Sequence, residues 1–390
     1  MRGRAPRAST RGPSRVAPRC ATRSFASSGT RPCDTSARRI PVSTSSSASS
    51  QQPAPGRQPA PNRQPAPSQP AAAPQLPRLF DVHQHILPPV YLDALAAAGI
   101  DPAREDGFPT PQWGEKDARS FADGMNIGFS LLSISSPHVN WGDDAASVRL
   151  CRRLNDYASR LCAADPARYG FVATLPVPDV TAAVTEARRA LALPGALAVK
   201  LPTNACGVYL GNQRLDPLMA ELDARSAVVV VHPAKPSAVP QGQFAADHAP
   251  VFEFLADTTR AVLNLITSGT LDRYPRVRWI VPHCGAFIPE VVHRMQGISR
   301  VLVPAGMMAS ADVLSAVRTL YFDLAGDAEP VMLDALLKVA DPSHLLYGSD
   351  WPYTPAPLVR QKALALFAGP HAAALEPARW RNAAALLGIN

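Results

Sequence analysis

From Leu79 to Asn390 the chain alternates short runs of apolar, β-branched residues with longer stretches of helical period, and it does so eight times. The expected strands are residues 79–83, 130–134, 169–174, 197–201, 227–231, 277–281, 320–324 and 345–348. Parallel strands need long crossover connections, usually helical, so this alternation predicts βα units around a parallel sheet. Eight units in roughly 310 residues fit a closed (β/α)8 TIM barrel with insertions, a fold usually of about 250 residues. An open doubly wound sheet is the alternative, but no strand here runs into a glycine-rich phosphate turn.

Composition sets the first 78 residues apart. Residues 1–79 hold thirteen arginines, no lysine and a single acid, Asp34, so they carry +12 while the whole chain carries +8, which leaves −4 for the remainder. The basic character thus belongs to the leader, and the folded body has no charge argument for nucleic acid. Residues 1–50, rich in arginine and serine and poor in acids, read as a disordered organellar transit peptide, mitochondrial in the first instance, with a cytoplasmic location as the alternative. Residues 51–78 form a Pro/Gln-rich linker, in which Arg57-Gln58-Pro59-Ala60-Pro61 recurs as Arg63-Gln64-Pro65-Ala66-Pro67. No run of about 20 apolar residues follows, so no membrane-spanning helix is expected. Cys151, Cys162, Cys206 and Cys284 of the body lack metal or redox spacing and read as ordinary thiols.

Barrel active sites form at the C-terminal ends of the strands. There the chain places Asp81-Val82-His83-Gln84-His85, His232-Pro233, Pro282-His283-Cys284-Gly285 and Gly348-Ser349-Asp350-Trp351-Pro352. His83 and His85 are two apart, so an extended strand aims both imidazoles the same way, toward the barrel axis. Each motif alone is weak: a strand-end histidine often only bonds backbone, and an acid before Trp-Pro often only starts a turn. Together, His83, His85, His232 and Asp350 supply nitrogen and carboxylate donors suited to one divalent ion, zinc first and manganese as the alternative. His283 reads as an acid/base residue beside the metal rather than a fifth ligand. Neighbouring strand residues face opposite ways, which assigns Cys284 to packing. His138, on the loop after strand two, is the least settled of the remaining histidines.

These motifs, with Thr174-Leu175-Pro176, Tyr209-Leu210-Gly211 and the stretch from Phe254 to Thr259, resemble the amidohydrolase superfamily over nearly all of residues 79–390. Within it they are similar to the decarboxylase branch, which includes aminocarboxymuconate-semialdehyde decarboxylase and, in particular, the 6-methylsalicylate decarboxylase type. The chain departs from that pattern with Cys284-Gly285-Ala286 after the strand-six histidine and with Trp351 after strand eight. The resemblance implies that His83, His85, His232 and Asp350 surround one metal, that His283 and Asp350 handle protons, and that the protein associates as a dimer. It implies non-oxidative loss of CO₂ from a small carboxylic acid. Trp113 and Tyr209 are expected to wall the substrate, and Arg260 to pair bidentately with a carboxylate across a subunit interface, with a solvated helix arginine as the alternative. The rival reading is a metal-dependent hydrolase of an amide, ester or lactone. Its support is Lys200, at the end of strand four, where two-metal relatives carry a bridging carboxylated lysine. The simpler reading of Lys200 is a side chain snorkelling past the barrel rim. A barrel without catalysis, serving as a binding module, is the remaining alternative.

Overall fold

A computed structural model describes residues 75–240, 242–308 and 312–389. The transit peptide and most of the linker expected from the sequence lie outside these residues. The described body holds eight parallel strands in sequential order: β1 (Leu79–His85), β2 (Ile127–Ser133), β3 (Tyr169–Thr174), β4 (Ala196–Pro202), β5 (Val228–His232), β6 (Arg278–Val281), β7 (Tyr321–Asp323) and β8 (Leu345–Leu346). Each strand pairs with the next in parallel. The ends meet as well, since Val82 N donates to the Tyr347 carbonyl at 3.0 Å and His85 N to the Trp351 carbonyl at 2.7 Å. This seam closes the sheet into the expected TIM barrel.

The valine run of β5 shows why these segments become strands. Branched side chains suit the pleated surface, and burial of both faces removes the polar alternation seen in half-exposed sheets. Val229 and Val231 join the large outer core between sheet and helices, whereas Val228 and Val230 join an inner cluster. That inner cluster also takes Phe80 and Val82, Phe129 and Leu131, Val172, Ala198, Ile280 and Leu346. Seven strands share it, and only the barrel interior is common to all of them. Ala383 and Leu386 of the C-terminal helix Arg381–Leu387 belong to the same cluster, and Trp380 meets Phe80 edge-on at 5.3 Å. The helix therefore plugs the N-terminal end of the barrel and leaves the other end open. Cys151 and Cys162 share the helix Asp144–Ala164, and with Cys284 they are buried free thiols. Among the described residues no helix is long and apolar enough to cross a membrane.

Candidate active site

Above the apolar layers, the inward positions of the strands turn polar. β1 reaches them by an irregularity: its register with β2 slips between Asp81 and Gln84. Phe80 and Val82 face the interior, and the extra residue shifts the alternation so that His83 and His85 face it too. β5 ends on His232 and β7 on Asp323. His283 lies in a short turn after β6, and Asp350 follows β8 with a φ of 56°, in the left-handed region. At the seam Asp350 N donates to the His83 carbonyl at 2.8 Å, and Ser349 N to Asp81 Oδ1 at 3.0 Å.

The donor atoms converge. His83 Nε2 and His85 Nε2 are 3.1 Å apart, and Asp350 Oδ1 lies 3.5 Å from the first and 3.1 Å from the second. Two ligands each about 2.0–2.1 Å from one ion, at angles of about 90–110°, stand about 2.9–3.4 Å apart. The spacing is that of atoms sharing a cation. His83, His85 and His232 offer atoms within 4.8 Å of one another, as do His83, His283 and Asp350, so both groups share His83 and describe one centre. The hydrogen bonds fix the tautomers. His83 Nδ1 meets Asp323 Oδ2 at 2.8 Å and His232 Nδ1 meets the Pro233 carbonyl at 3.0 Å, so each Nδ1 donates and each Nε2 is the nitrogen left to face a metal. The residues fit a divalent metal.

Electrostatics agree. Burial opposes protonation of His83, yet Asp323 and Asp350 raise it to about 9. Burial, with His83 and Lys200 adding to it, pushes His85 down to about 4. His232 and His138 fall well below the ordinary histidine value through burial and then the Lys200 ammonium, and His283 is lowered by burial and by His83. Burial would raise Asp350, but the His85 hydrogen bond and the nearby His83 and His283 hold its carboxyl well below the usual carboxylate range. The cluster holds one proton among neutral imidazoles and ionised carboxylates, and a bound cation would take that proton's place.

The site opens into a cavity of about 410 Å³, a size that suits a small ligand. His232, His283 and Asp350 line its polar floor, Phe108, Phe254, Leu255, Met332 and Tyr353 its apolar wall. His283 Nε2 stands 4.0 Å from Asp350 Oδ2, and its backbone N donates to Asp323 Oδ1 at 3.0 Å.

The structure brings His83, His85, His232, His283 and Asp350 together. Trp113, Tyr209 and Arg260 are not among the residues lining the cavity. Tyr209 donates to Asp257 Oδ1 at 2.5 Å and Arg260 to the same oxygen at 2.7 Å, so both are engaged on a buried carboxylate. Trp113 packs partly buried against the outer core. Lys200 does not snorkel: it is 2% exposed, and its Nζ donates to the Ile134 carbonyl, because its strand position faces the closed interior. Cys284 is packing, as expected, but through a turn rather than strand alternation: β6 ends at Val281, and the thiol is buried in the outer core. His138 Nε2 bonds the Pro233 carbonyl at 2.9 Å, the carbonyl that also holds His232. Sequence reasoning missed Asp323 and Asp106. An acid inside the apolar run Tyr321-Phe322-Asp323-Leu324 was the signal for the first; the second sits in a loop with no pattern to mark it.

The sequence pattern of the amidohydrolase family matches residues 80–389. Decarboxylase yanB of Aspergillus niger is 34% identical over 296 residues, covering 72% of this chain and 79% of its own length. The 6-methylsalicylic acid decarboxylase of Penicillium expansum is 32% identical over 286 residues, covering 70% of this chain and 85% of its own. Among solved structures, an amidohydrolase II matches with a TM-score of 0.74 at 36% identity, over 80% of this chain and 99% of that one. The 5-carboxyvanillate decarboxylase LigW of Sphingomonas paucimobilis shares the fold, with a TM-score of 0.69 at 21% identity over 80% and 99% of the two chains.

Proposed function

We propose that this chain, which belongs to the amidohydrolase family, is a metal-dependent, non-oxidative decarboxylase of small aromatic acids of the salicylate type. The observation that carries the proposal is the convergence of His83, His85 and Asp350 at single-cation spacing, with Asp350 and the neighbouring His283 lining the floor of a largely apolar cavity. The relatives of similar length are decarboxylases by name. Three imidazoles and a carboxylate suit zinc, with manganese as the alternative.

When bound, the ion supplies a template and a sink for negative charge. The chain's own residues do the rest. The apolar wall around Phe254, Leu255 and Met332 takes the ring and excludes water, leaving the acidic end of the substrate over the polar floor. His283, which lines the cavity 4.0 Å from Asp350, would take up a proton from solvent and deliver it to the ring carbon that bears the carboxylate. The C–C bond then breaks, CO₂ leaves, and the electron pair returns to the ring, which regains aromaticity with hydrogen in place of the carboxylate. Oxidation state is conserved overall, so the stoichiometry calls for no redox partner. Asp323, which holds the His283 backbone and the His83 ring, positions both. The hydrolase alternative gains nothing from Lys200, which is engaged on a backbone carbonyl, while the donor atoms form one centre.

The test is metal analysis of the purified full chain together with CO₂ release from salicylic and 6-methylsalicylic acids. About one metal per chain is expected, with turnover lost on chelation and restored by metal. Two metals per chain with ester or amide hydrolysis and no CO₂ would overturn the proposal.

A further inference from the structure

The mechanism above gives the substrate a wall and a floor but no side chain to pair with its negative charge. Arg260, expected from the sequence to do so, is engaged on Asp257 and does not line the cavity. The charged side chains that do line it are three acids, Asp106, Asp327 and Asp350, and one cation, Lys362. Lys235 acts on Asp106 from outside that lining. Among the described residues the cavity wall thus carries a single ammonium, and an anionic substrate enters a space whose protein charge is otherwise negative.

Lys362 stands on the helix Ala356–Ala368, which starts just after Thr354, whose N donates to the Asp350 carbonyl at 2.9 Å. A short turn therefore ties this helix to the acid of the metal cluster. The Lys362 side chain is 25% exposed, and its Nζ lies 3.1 Å from Asp327 Oδ1, on a side chain that is 84% exposed. An ion pair whose acid stands in water contributes little, so Asp327 holds the ammonium only loosely. An ammonium has three donors, and one carboxylate oxygen occupies one of them. Asp327 follows Gly326, whose φ of +86° turns the loop against His283; a Cβ there would stand 4.0 Å from His283 Cδ2. The cation is thus held on the His283 side of the cavity, close enough for its charge to act on that ring. Met332 of the apolar wall belongs to the helix Val331–Leu336, which follows the same loop, so a ring contact and a charge contact come from one segment.

We propose that Lys362 is a substrate-binding residue that pairs with the carboxylate of the acid in the cavity, and that Asp327 is its partner before the substrate enters. This rests on the decarboxylase reading and names a residue for the orientation that reading requires: carboxylate toward His283 and Lys362, ring against Phe254, Leu255 and Met332. Lysine suits the task because its charge sits on a flexible four-carbon stem and turns from one oxygen to another without rebuilding the wall. The contact exists in the ground state and persists until CO₂ leaves, so its loss raises KM more than it lowers kcat.

The experiment measures salicylic and 6-methylsalicylic acids, and neutral salicylamide, against the metal-loaded full chain by turnover and by calorimetry. In Lys362→Met, KM and Kd for the acids should rise about tenfold or more, the scale of one hydrogen bond to a charged group, while kcat changes less than about threefold. Salicylamide has the same ring and hydroxyl without the charge, and its Kd should be alike in wild type and variant. Lys362→Arg should retain most of the affinity. Asp327→Asn, which frees the ammonium, should lower Kd for the acids by about two- to threefold. Lys338→Met removes the same charge at an exposed position outside the cavity lining and should leave Kd unchanged. The proposal is overturned if Lys362→Met binds the acids as wild type does, if salicylamide weakens equally, or if Lys338→Met reproduces the effect. Should Lys362→Met fail to fold, the same comparison on Lys362→Gln decides. If no acid releases CO₂ while the Kd values still depend on Lys362, the decarboxylase reading falls and this assignment stands. CO₂ release with a KM indifferent to Lys362 keeps that reading and sinks this assignment.

Discussion

Neither ring nitrogen of His83 is left to solvent: Nδ1 is held by Asp323, and Nε2 faces His85 and Asp350. A carboxylate behind a ligating imidazole fixes its tautomer and raises its basicity, and loss of such a partner typically costs about 10- to 100-fold in metal affinity. Asp323→Asn should show that loss in a chelator competition while keeping its circular dichroism; unchanged affinity would remove Asp323 from the site. His283 plays another part. His283→Asn should retain the metal but lose kcat by at least about a hundredfold, the low end for a positioned proton-transfer group. A metal-free variant would make His283 a ligand instead, and near-wild-type turnover would refute both roles. Asp106 gives a prediction with a definite sign. Its folded carboxyl lies at about 6 against an ordinary 3.8, so the folded state holds the proton more tightly. The stability this contributes is full below about pH 4 and lost as pH rises through about 6. Asp106→Asn should then be more stable than wild type at pH 7, by on the order of 3 kcal/mol at most, and show no gain at pH 4. A gain of equal size at both pH values would contradict the burial argument.

The strands show which elements a sequence discloses. His83 and His85 were readable because a spacing of two keeps side chains on one face whatever the partner strand does. The register slip that carries them to the inner face was not, since it depends on how β1 meets β2. The short strands β6, β7 and β8 were recognisable as apolar runs, with ends shifted by one or two residues. Lys200 was assigned to the rim because a lysine on a strand end ordinarily reaches water; here the inward position leaves it none. The cavity wall was less legible still. Tyr209 and Arg260 were expected there for their chemistry, yet the hairpin of Asn204–Ala205 and Val208–Tyr209 is fastened to the helix Glu253–Thr267 through Asp257. Loop paths of this kind follow from tertiary contacts that no local pattern records. One glycine tests the packing of the seam. A Cβ on Gly348 would lie 2.8 Å from that of His83 and 3.3 Å from those of Asp323 and Ala325. Gly348→Ala should displace the β1 ligands, lowering stability by about 1–3 kcal/mol and metal occupancy with it. Full occupancy with wild-type Tm would show that β1 yields without cost.

At the scale of the whole molecule, the arginine-rich leader and the barrel are separable in composition. A fluorescent protein fused behind residues 1–50 should enter an organelle, mitochondria first, if the leader is a transit peptide; fluorescence spread evenly through the cytoplasm would count against it. The barrel has a further property as a whole. Its eight strands close only where β1 meets the chain around β8, by a few backbone hydrogen bonds at Val82, His85 and Asp350. Three of the four proposed ligands stand on either side of that closure, His83 and His85 on one edge and Asp350 on the other, while His232 ends β5. A bound cation would therefore act as a fastener across the weakest join of the cylinder, and its removal would be felt there before anywhere else. In amide hydrogen exchange, Val82, His85 and Asp350 should lose protection on chelation while the middle of β5 keeps it, and metal should restore the difference. Uniform loss along every strand would mean that the cylinder opens as a single unit.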